Sequence, residues 1–547
     1  MTDPGPIGQP PFGQPPFGQP AQAPARPVRI RFAPSPSGPL HVNDVRAALY
    51  AWAVARHTGG MFVLRIDDSN QSQVNEENIT AAQETLHWLG LAWDEGPDQG
   101  GPYAPYRQSE RIGLYHQWAQ QFLDTGQAYW CYCSPEELQA RRETTPAPNA
   151  PIPAAAGAPA DYDRYCRTLT QQQAEAYLAE GRQPVLRFRM PDGTTTFTDL
   201  IRGPITVEHR DVPDFVIMRG DGHPLPTLVT AVDDAMMALT HVVRDEDLLP
   251  FTPRQIAVYR AMGLPEDQFP VFAHLPRILG SDRQTLTRHN GVTSIEVYQR
   301  EGFVPEALVN YLTLLGWSPG EGRAESSPAG HSWPDYGLDQ LVGGFELTQV
   351  QAAPVQFDPE RLEAINAAKI RGLTPADFAR RIVPFLAQAG LVTEPLSSDQ
   401  MWFIRQGAPL IQDQLTRLTE APELLAFLLV PDSGFAVRAA DAAAVLTADA
   451  ATPLKAVTAT LTALPEWTAP AIGQALRATL ADAPGPAPDP APDAALAPVA
   501  VAVTGRRAAP PLPEALELLG RDRTLARLTA AQAAAQSVAQ PLVPPAE

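Results

Sequence analysis

The segment R-F-A-P-S-P-S-G-P-L-H-V-N-D-V-R-A-A-L, residues 31–49, decides the fold class of the N-terminal half of the chain. Residues 28–32 read as a short strand, a proline-rich loop follows over 34–39, and helical spacing of apolar residues predicts a helix over 42–57. M-F-V-L-R-I, residues 61–66, reads as a second strand. A strand–loop–helix–strand unit of this length predicts a parallel sheet with helices on its faces.

The turn before the predicted helix has features of a phosphate site. A glycine-containing turn that runs into a helix N-terminus offers unpaired backbone N–H groups and the positive end of the helix dipole. The alternative is a purely structural connection between the strand and the helix. The turn therefore favours a nucleotide site without establishing one.

Length, charge and cysteine content restrict the class of protein. With 547 residues the chain is long enough for several domains and a large buried core. The net charge of −20 argues against indiscriminate nucleic-acid binding, although a local basic face would suffice for a nucleic-acid partner. We see no apolar stretch that could span a bilayer and no signal peptide, so we expect a cytoplasmic protein without membrane contact. Only three cysteines are present, which fits a reducing compartment.

Changes in composition divide the chain into a tail, an α/β region and a helical region. Residues 1–27 repeat G-Q-P, which predicts a disordered tail. We place the α/β domain over 28–319 and a mostly helical, alanine-rich region over 320–547. Further predicted elements are a helix over 76–93 that ends at Gly90, a Pro/Ala linker over 142–160, strands over 185–190 and 214–219 with turns between them, a return to the α/β pattern over 231–263 and a Pro-rich linker over 484–498.

Several motifs, in order along the chain, resemble those of one enzyme family. R-F-A-P-S-P-S-G-P-L-H-V (31–42) looks like the signature of glutamyl-tRNA synthetases, a branch of the class I aminoacyl-tRNA synthetases. The resemblance covers nearly all of residues 28–528. The other matching segments are G-G-M-F-V-L-R-I-D-D-S-N (59–70), L-H-W-L-G-L-A-W-D-E-G-P (86–97), Q-S-E-R (108–111), D-G-H-P (221–224), V-D-D-A-M-M-A-L-T-H-V-V-R (232–244), T-P-R-Q-I (252–256), A-L-V-N-Y-L-T-L-L-G-W-S (307–318), V-A-V-T-G-R-R (501–507) and L-E-L-L-G-R-D-R-T-L-A-R-L (516–528).

The resemblance implies both a fold and a reaction. The implied fold is a Rossmann-type class I catalytic domain with an acceptor-end insertion at about 131–213, a stem-contact segment over 276–319 and then an α-helical anticodon-binding region. The implied reaction is the activation of glutamate with ATP and Mg²⁺ and its transfer to the 3′ end of tRNA, expected to be the glutamate tRNA, by a monomer. Such catalysis depends on positioning and on stabilising phosphate charge.

The ATP site implied by the resemblance departs from the family pattern in both of its motifs. The family's H-[IV]-G-[GTH] reads H-V-N-D here, so Asn43 fills space that glycine leaves open and Asp44 brings a carboxylate towards a phosphate. Two like charges about 4 Å apart repel by roughly 1–4 kcal/mol. In the second motif T-L-T-R-H-N-G (285–291) replaces K-L-S-K-R-H-G, so arginine stands in place of a phosphate-binding lysine. The residues implied at this site are Ser37, Gly38, His41, Asn43, Asp44 and Arg288.

The amino-acid pocket is implied by the same resemblance. Arg31 stands where the family binds the side-chain carboxylate of glutamate, and Arg244 stands where it binds the α-carboxylate. Arginine suits both positions because its guanidinium binds a carboxylate through two parallel hydrogen bonds. Ser35 and Asp67 stand where the family holds the amino group, and Ala33 contributes a backbone contact.

Two further positions of the pocket differ from the family. Its tyrosine aligns with Pro226 and its asparagine with Thr230, so two hydrogen-bonding groups for glutamate are lost or replaced. The alternative interpretation of both arginines is that they pair only with structural acids such as Asp67 or Asp234.

The cysteines are confined to one segment, as C-Y-C at 131–133 and Y-D-R-Y-C at 162–166. Two close thiolates and a distant third suit tetrahedral Zn²⁺, which predicts a structural site at Cys131, Cys133 and Cys166. The resemblance to zinc-binding members of the family implies Tyr162 as the fourth ligand. The alternative is three buried or idle thiols.

Three functions are compatible with these features. The first is a glutamate–tRNA ligase; the second is a diverged paralogue that does not adenylate and binds tRNA or a protein partner instead. The third is a ligase with an altered substrate or acceptor. Basic residues that could contact tRNA phosphates, or could be solvated helix ends, are Arg141, Arg142, Arg506, Arg507 and the arginines of 521–527.

Overall fold

The computed structural model describes residues 26–70, 74–144, 162–286, 294–317, 334–481 and 492–539. Nearly all of the predicted N-terminal tail and most of the predicted 142–160 linker lie outside these residues. The chain divides into two units. The first comprises residues up to 298 and 308–358, and the second comprises 299–307 and the chain from 359 onwards.

The first unit contains the helices and strands of an α/β fold, and two of its helices, over 295–300 and 305–314, each include residues of the second unit. In chain order the elements are β1 (Arg29–Phe32), α1 (Val42–His57), β2 (Met61–Leu64), α2 (Glu76–Trp88), α3 (Ile112–Asp124), β3 (Ala128–Cys131), α4 (Pro135–Thr144), α5 (Gln171–Ala179), β4 (Val185–Phe188), β5 (Thr194–Asp199), β6 (Gly203–Glu208), β7 (Phe215–Met218), α6 (Pro226–Met236), β8 (His241–Asp245), α7 (Thr252–Ala261), β9 (Val271–Leu275), β10 (Ile278–Leu279), α8 (Ile295–Arg300), α9 (Pro305–Leu314), α10 (Leu338–Gly344) and β11 (Val355–Gln356).

A six-stranded sheet forms the centre of the first unit. Its strand order is β2-β1-β8-β9-β5-β6, and every pairing is parallel except that of β5 with β6. The chain passes from β1 to β2 on one side and from β8 to β9 on the other, so the strand order reverses between β1 and β8. This topology confirms the predicted Rossmann-type fold. Such sheets bind their ligands beyond the carboxyl ends of the strands at this reversal.

The strand–helix–strand unit at the start of the fold has the predicted form. α1 has the predicted bounds, and Val45 and Leu49 on its apolar face are buried against β1, β2 and β8. Each such side chain stabilises the fold by about 1.5–3 kcal/mol when fully buried. At the start of α1 the backbone N–H of His41 donates to the carboxylate of Asp44 at 2.9 Å, which satisfies one of the unpaired groups of the helix end. α2 ends at Trp88, just before Gly90 at a φ of +78°, which agrees with the predicted stop.

The region of the predicted insertion contributes to two sheets. β3, β4 and β7 form a separate antiparallel sheet in the order β3-β4-β7. The expectation of turns alone between residues 185–190 and 214–219 is wrong, because β5 and β6 form a hairpin there and β5 pairs with β9 of the large sheet. β5 reads T-T-T-F-T-D. Its β-branched threonines favour a strand, but they are polar, so a search for apolar alternation overlooks them.

The described part of the second unit is helical. Its helices are α11 (Pro359–Gly372), α12 (Pro375–Gln388), α13 (Ser398–Ile411), α14 (Ala421–Leu429), α15 (Ala439–Val445), α16 (Ala451–Thr462), α17 (Ala469–Ala481), α18 (Pro492–Thr504), α19 (Leu512–Leu519) and α20 (Arg521–Ala539). This confirms the predicted helical region. No helix among the described residues is both long enough and apolar enough to cross a membrane.

The predicted Pro-rich linker over 484–498 is wrong in its last part. α18 begins at Pro492 and continues through Pro498. Proline is accepted at the first helical position because its missing N–H would have no partner there. Pro498 removes one hydrogen bond from within the helix, and the apolar residues Val499 and Val501 that follow it are buried. Residues 484–491 of that linker lie outside the described residues.

Candidate active site

A cleft of about 700 Å³ opens at the carboxyl ends of β1 and β8, where the strand order of the sheet reverses. β1 contributes residues from its end, β8 contributes its last three residues, and the first turn of α1 lies beside them. The cleft thus brings together residues that are far apart in sequence. The predicted substrate-binding residues that line it are Arg31, Ala33, Asp44, Asp67, Thr230 and Arg244.

Arg31 is paired with a buried acid. Its Nε and Nη2 atoms donate to the two carboxylate oxygens of Asp234 at 3.2 and 3.3 Å. Asp234 also accepts hydrogen bonds from Arg65 and Gln255, both at 2.8 Å. Burial alone would raise the pKa of Asp234, but the charges of Arg31 and Arg65 outweigh it and hold that pKa below its ordinary value. Arg31 therefore has a structural partner, as the alternative interpretation expected, and it also faces the cleft.

Arg244 is a buried cation with no carboxylate within ion-pair distance in the part of the chain that the structure describes. Its side chain is held by three neutral acceptors: Nε donates to His274 Nε2 at 3.0 Å, Nη1 to Gln255 Oε1 at 2.9 Å and Nη2 to Thr252 Oγ1 at 2.9 Å. Burial, and to a lesser degree the charge of Arg31, lowers the pKa of Arg244 to about 10. A buried charge without a counterion is costly, so this guanidinium favours an anion from solution.

Asp67 lines the same cleft as Arg31 and Arg244. Arg65 donates to both of its carboxylate oxygens, at 2.7 and 3.2 Å, and so fixes the orientation of the carboxylate. Burial raises the pKa of Asp67, although the charge of Arg65 opposes the rise. The side chain keeps 21% of its surface exposed and lines the cleft, so its oxygens can accept further donors such as an ammonium group. Thr230 lines the same cleft from α6, whose first residue is Pro226.

Asp44 belongs both to the helix start and to the cleft. Its carboxylate accepts the N–H of His41 and lines the cleft beside Asp245. Burial raises the pKa of Asp245 to about 6, with the charge of Arg46 opposing the rise and the charge of Asp44 adding to it. Two carboxyl groups therefore line the end of the cleft nearest the N-terminus of α1, and that of Asp245 pairs with Arg46 at 3.4 Å.

The remaining predicted site residues have other positions. Asn43 donates from Nδ2 towards the carbonyl oxygen of Leu286 at 3.5 Å, the outer limit of a hydrogen bond. Arg288 lies outside the described residues. Five predicted site residues lie before α1 or in its first turn and do not line the cleft: Ser35, Ser37, Gly38, His41 and Asn43.

Two further arginines line the cleft and were not predicted. Arg187 of β4 donates to the backbone oxygen of Asp214 at 2.9 Å. Arg254 of α7 lies over the rings of Phe215 and Phe251, at 5.7 and 5.3 Å from their centroids, and burial lowers its pKa. Arg187 lies in the predicted strand over 185–190, and Arg254 lies in the motif over 252–256. Neither pattern indicates which part of the folded chain an individual side chain will face. They add to the positive charge that lines the cleft.

The three cysteines form a cluster separate from the cleft, in which Cys131 and Cys166 are buried and Cys133 is half-buried. The Sγ atoms of Cys131, Cys133 and Cys166 lie within 4.8 Å of one another, and those of Cys133 and Cys166 are 3.3 Å apart. The hydroxyl oxygen of Tyr162 accepts the backbone N–H of Cys166 at 2.9 Å, which places it at the edge of the cluster. Tetrahedral zinc with bonds of about 2.3 Å holds its sulfur ligands a little under about 4 Å apart, so the thiol spacing fits zinc. Among the described residues this is the only group of three potential side-chain ligands at such spacing.

Two family models match the chain. Residues 27–330 match the model described as "tRNA synthetases class I (E and Q), catalytic domain", which includes every residue of the cleft. Residues 377–532 match the model described as "Anticodon binding domain". The two matches correspond in order to the α/β and helical parts of the fold.

Individual relatives resemble the chain over most of its length. A glutamate–tRNA ligase of Nocardioides sp. is 42% identical over 507 residues, which are 92% of this chain and 98% of that relative. A glutamate–tRNA ligase of Saccharopolyspora erythraea is 44% identical over 510 residues, which are 93% of this chain and 96% of that relative. The crystal structure of a glutamate tRNA ligase from Elizabethkingia meningosepticum, in complex with its amino acid, superposes with a TM-score of 0.74 at 27% identity and covers 93% of this chain and 99% of that one.

Proposed function

The chain belongs to the class I aminoacyl-tRNA synthetases, among the glutamate–tRNA ligases, and we propose that the cleft is the site where it activates glutamate. In the activation step a carboxylate oxygen of glutamate attacks the α-phosphorus of ATP, and pyrophosphate leaves. A hydroxyl of the tRNA 3′ end then attacks the acyl carbon of glutamyl-adenylate, and AMP leaves. The chain's part in both steps is to align the reactants and to stabilise charge.

The observation that carries this proposal is the environment of Arg244. A substrate carboxylate would supply the counterion that this buried guanidinium does not have among the described residues, and the three neutral acceptors already fix its orientation. We assign the α-carboxylate of glutamate to Arg244 and the side-chain carboxylate to Arg31. Asp67, fixed by Arg65, would accept the ammonium group.

Arg31 differs from Arg244 because it already has a carboxylate partner. Asp234 and Asp67 together compensate the charges of Arg31 and Arg65, so these four groups and Arg244 carry one net positive charge. Glutamate, with two carboxylates and one ammonium group, has a net charge of −1 and would compensate it, whereas a neutral or cationic amino acid would not. We therefore propose an acidic amino acid as the substrate class, with glutamate as its member.

We propose that ATP binds at the start of α1, where the helix N-terminus favours phosphate. Mg²⁺ neutralises phosphate charge when bound, and the carboxylate of Asp245 is an oxygen ligand of the kind that this ion accepts. Two carboxylates without the ion would repel ATP. The departures at Asn43 and Asp44 then weaken ATP binding without abolishing the reaction.

We also propose a structural zinc ion at Cys131, Cys133 and Cys166, with Tyr162 as the fourth ligand. The close spacing of the three sulfur atoms and the burial of Cys131 and Cys166 support it. The ion would fix the turn after β3 to the segment around residue 166, and it takes no part in the chemistry of the cleft. On the family's pattern we expect a monomeric, cytoplasmic enzyme that acts on the glutamate tRNA.

The test is glutamate-dependent ATP–pyrophosphate exchange in the presence of total tRNA from the source organism. We expect exchange with the wild-type chain and a loss of at least about 100-fold with Arg244→Leu, because a charge-assisted pair of hydrogen bonds is removed. Arg260→Leu is the matched control, since Arg260 pairs with Glu266 outside the cleft and should retain wild-type exchange. Folded protein that binds tRNA but exchanges with no amino acid would overturn the proposal in favour of a non-adenylating tRNA-binding protein.

A further inference from the structure

A buried chain of three side chains runs from β5 through β9 to Arg244. Asp199 and His274 are each at most 1% exposed and do not line the cleft. His274 Nδ1 lies 2.6 Å from Asp199 Oδ2, and its Nε2 lies 3.0 Å from Arg244 Nε. The proposed function uses only the last member of this chain.

We infer that Asp199 and His274 are positioning residues for substrate recognition: they hold the Arg244 guanidinium through a neutral acceptor and so keep its charge available for the carboxylate of the amino acid. The inference rests on the proposed function, because it concerns how Arg244 selects an anionic substrate.

The hydrogen-bond pattern fixes the tautomer of His274. The Nε–H of arginine can only donate, so the Nε2 atom that faces it must be an acceptor. The ring proton is then on Nδ1, where it donates to Asp199. Burial lowers the pKa of His274 to about 4, with Asp199 opposing the shift, so the imidazole is neutral at physiological pH.

Asp199 is fixed independently of the imidazole. Its Oδ1 accepts the backbone N–H groups of Ile201 and Arg202, both at 3.0 Å, and its Oδ2 accepts the ring of His274 together with the backbone N–H of the same residue at 3.1 Å. The anion is therefore held one residue away from Arg244. Direct contact would instead give the bidentate pair that Arg31 makes with Asp234, and the charge of Arg244 would be compensated within the protein.

Asp199→Asn is the sharpest variant because it preserves shape and reverses the hydrogen-bond direction. The backbone N–H groups of Ile201 and Arg202 require an oxygen at Oδ1, so the new amide nitrogen takes the position of Oδ2 and donates to His274 Nδ1. The backbone N–H of His274, which Oδ2 accepts in the wild type, keeps Oδ1 at 3.3 Å as its acceptor. The ring proton then moves to Nε2 and points at the Nε–H of Arg244. Arg244 loses one acceptor and meets a donor in its place.

The expected result with Asp199→Asn is a KM for glutamate about 10- to 100-fold above the wild-type value, since a hydrogen bond to a charged group is lost. The KM for ATP and the melting temperature should change little. His209→Gln is the matched control: His209 is equally buried and bonded at both ring nitrogens, to Thr195 and to the backbone of Pro191, and does not touch Arg244. It should keep the wild-type KM for glutamate.

A second measurement needs no substrate. In protein labelled with ¹⁵N at histidine, the ring nitrogen shifts should identify His274 as the neutral Nδ1–H tautomer. The signals are assigned by their loss in His274→Gln. In Asp199→Asn the tautomer should change to Nε2–H. Wild-type His274 in the Nε2–H form would overturn the inference even if Asp199→Asn did not fold.

The two proposals fail in different ways. An active wild-type chain whose Asp199→Asn variant keeps the wild-type KM for glutamate, or shifts the KM for ATP equally, contradicts only the positioning role. A folded wild-type chain with no glutamate-dependent exchange contradicts the proposed function and this inference together.

Discussion

At the scale of single residues, Asp44 combines two roles that oppose each other. Its carboxylate completes the first turn of α1 by accepting the N–H of His41, and the same carboxylate lines the cleft beside Asp245. A carboxylate at this end of the cleft repels the phosphates of ATP. Burial is the main cause of the raised pKa of Asp245, and the charge of Asp44 adds to the rise.

We predict that Asp44→Asn lowers the KM for ATP by about three- to tenfold, because one negative charge is removed at surface-like dielectric. Asparagine keeps an oxygen that can accept the N–H of His41, so the helix start and the melting temperature should be unchanged. The measurement is pyrophosphate exchange against ATP concentration.

Asp339→Asn is the control for Asp44→Asn. Asp339 also lies in the first turn of a helix, α10. It is exposed and does not line the cleft. The account of Asp44 is contradicted if Asp44→Asn raises the KM for ATP, or if the control lowers it by the same factor.

At the scale of elements, the proposed zinc site joins three short segments. Cys131 is the last residue of β3, and Cys133 lies two residues beyond the end of that strand. Cys166 lies in a single turn over Tyr165–Thr168. Such short elements bury little apolar surface of their own, so metal–thiolate bonds can contribute a large share of their local stability.

We predict one equivalent of zinc in purified wild-type protein and less than about a tenth of an equivalent in Cys166→Ser, measured by elemental analysis with thiols reduced. The melting temperature of Cys166→Ser should fall by several degrees, because bound metal stabilises the folded state. Tyr162→Phe should weaken zinc binding about tenfold or more if the hydroxyl is a ligand, whereas Tyr132→Phe should not. Wild-type protein without zinc contradicts the site.

The elements also show where sequence patterns are sufficient. The bounds of α1 were predicted because a long run of apolar residues at helical spacing leaves little choice of conformation. β5 was missed because its alternation is carried by threonine, and the start of α18 was missed because Pro492 marks a helix beginning as readily as a linker. A local pattern does not predict the secondary structure where the same residue type is common in two kinds of structure, as proline is in linkers and at helix starts.

At the scale of the whole molecule, the arginines predicted to contact tRNA divide into two kinds. Arg527 is buried and donates to the backbone oxygens of Val503 and Phe427 at 2.7 and 3.1 Å, so it holds helices of the second unit together. Arg507 is exposed. The first therefore serves stability, and the second is available to a phosphate.

We predict that Arg507→Met weakens tRNA binding and reduces the slope of log affinity against log salt by about one, with no change in melting temperature. Arg527→Met should lower the free energy of unfolding by about 1–3 kcal/mol, because buried carbonyl oxygens lose their donor. Filter binding over a salt series and thermal denaturation distinguish the two. Equal loss of stability in both variants would contradict this division.

The positions of the site residues could be predicted from motifs, but their interactions could be predicted only in part. Arg31 and Arg244 could be named because each stands in a recognisable motif. Asp234 was named as a partner only in the alternative interpretation, and His274 was not named; they are 203 residues from Arg31 and 30 residues from Arg244. Contacts at such separations arise from the order of strands in the sheet, which places β1, β8 and β9 side by side.

The central claim is that the cleft between β1 and β8 joins glutamate to tRNA despite the changes at Asn43 and Asp44. The most direct test is the ATP-dependent attachment of radiolabelled glutamate to tRNA from the source organism by the full-length chain, with glutamine and aspartate as competing substrates. We predict glutamyl-tRNA as the product, with neither competitor attached at a comparable rate. Folded protein that binds tRNA but forms no glutamyl-tRNA at saturating ATP and Mg²⁺ would contradict the claim.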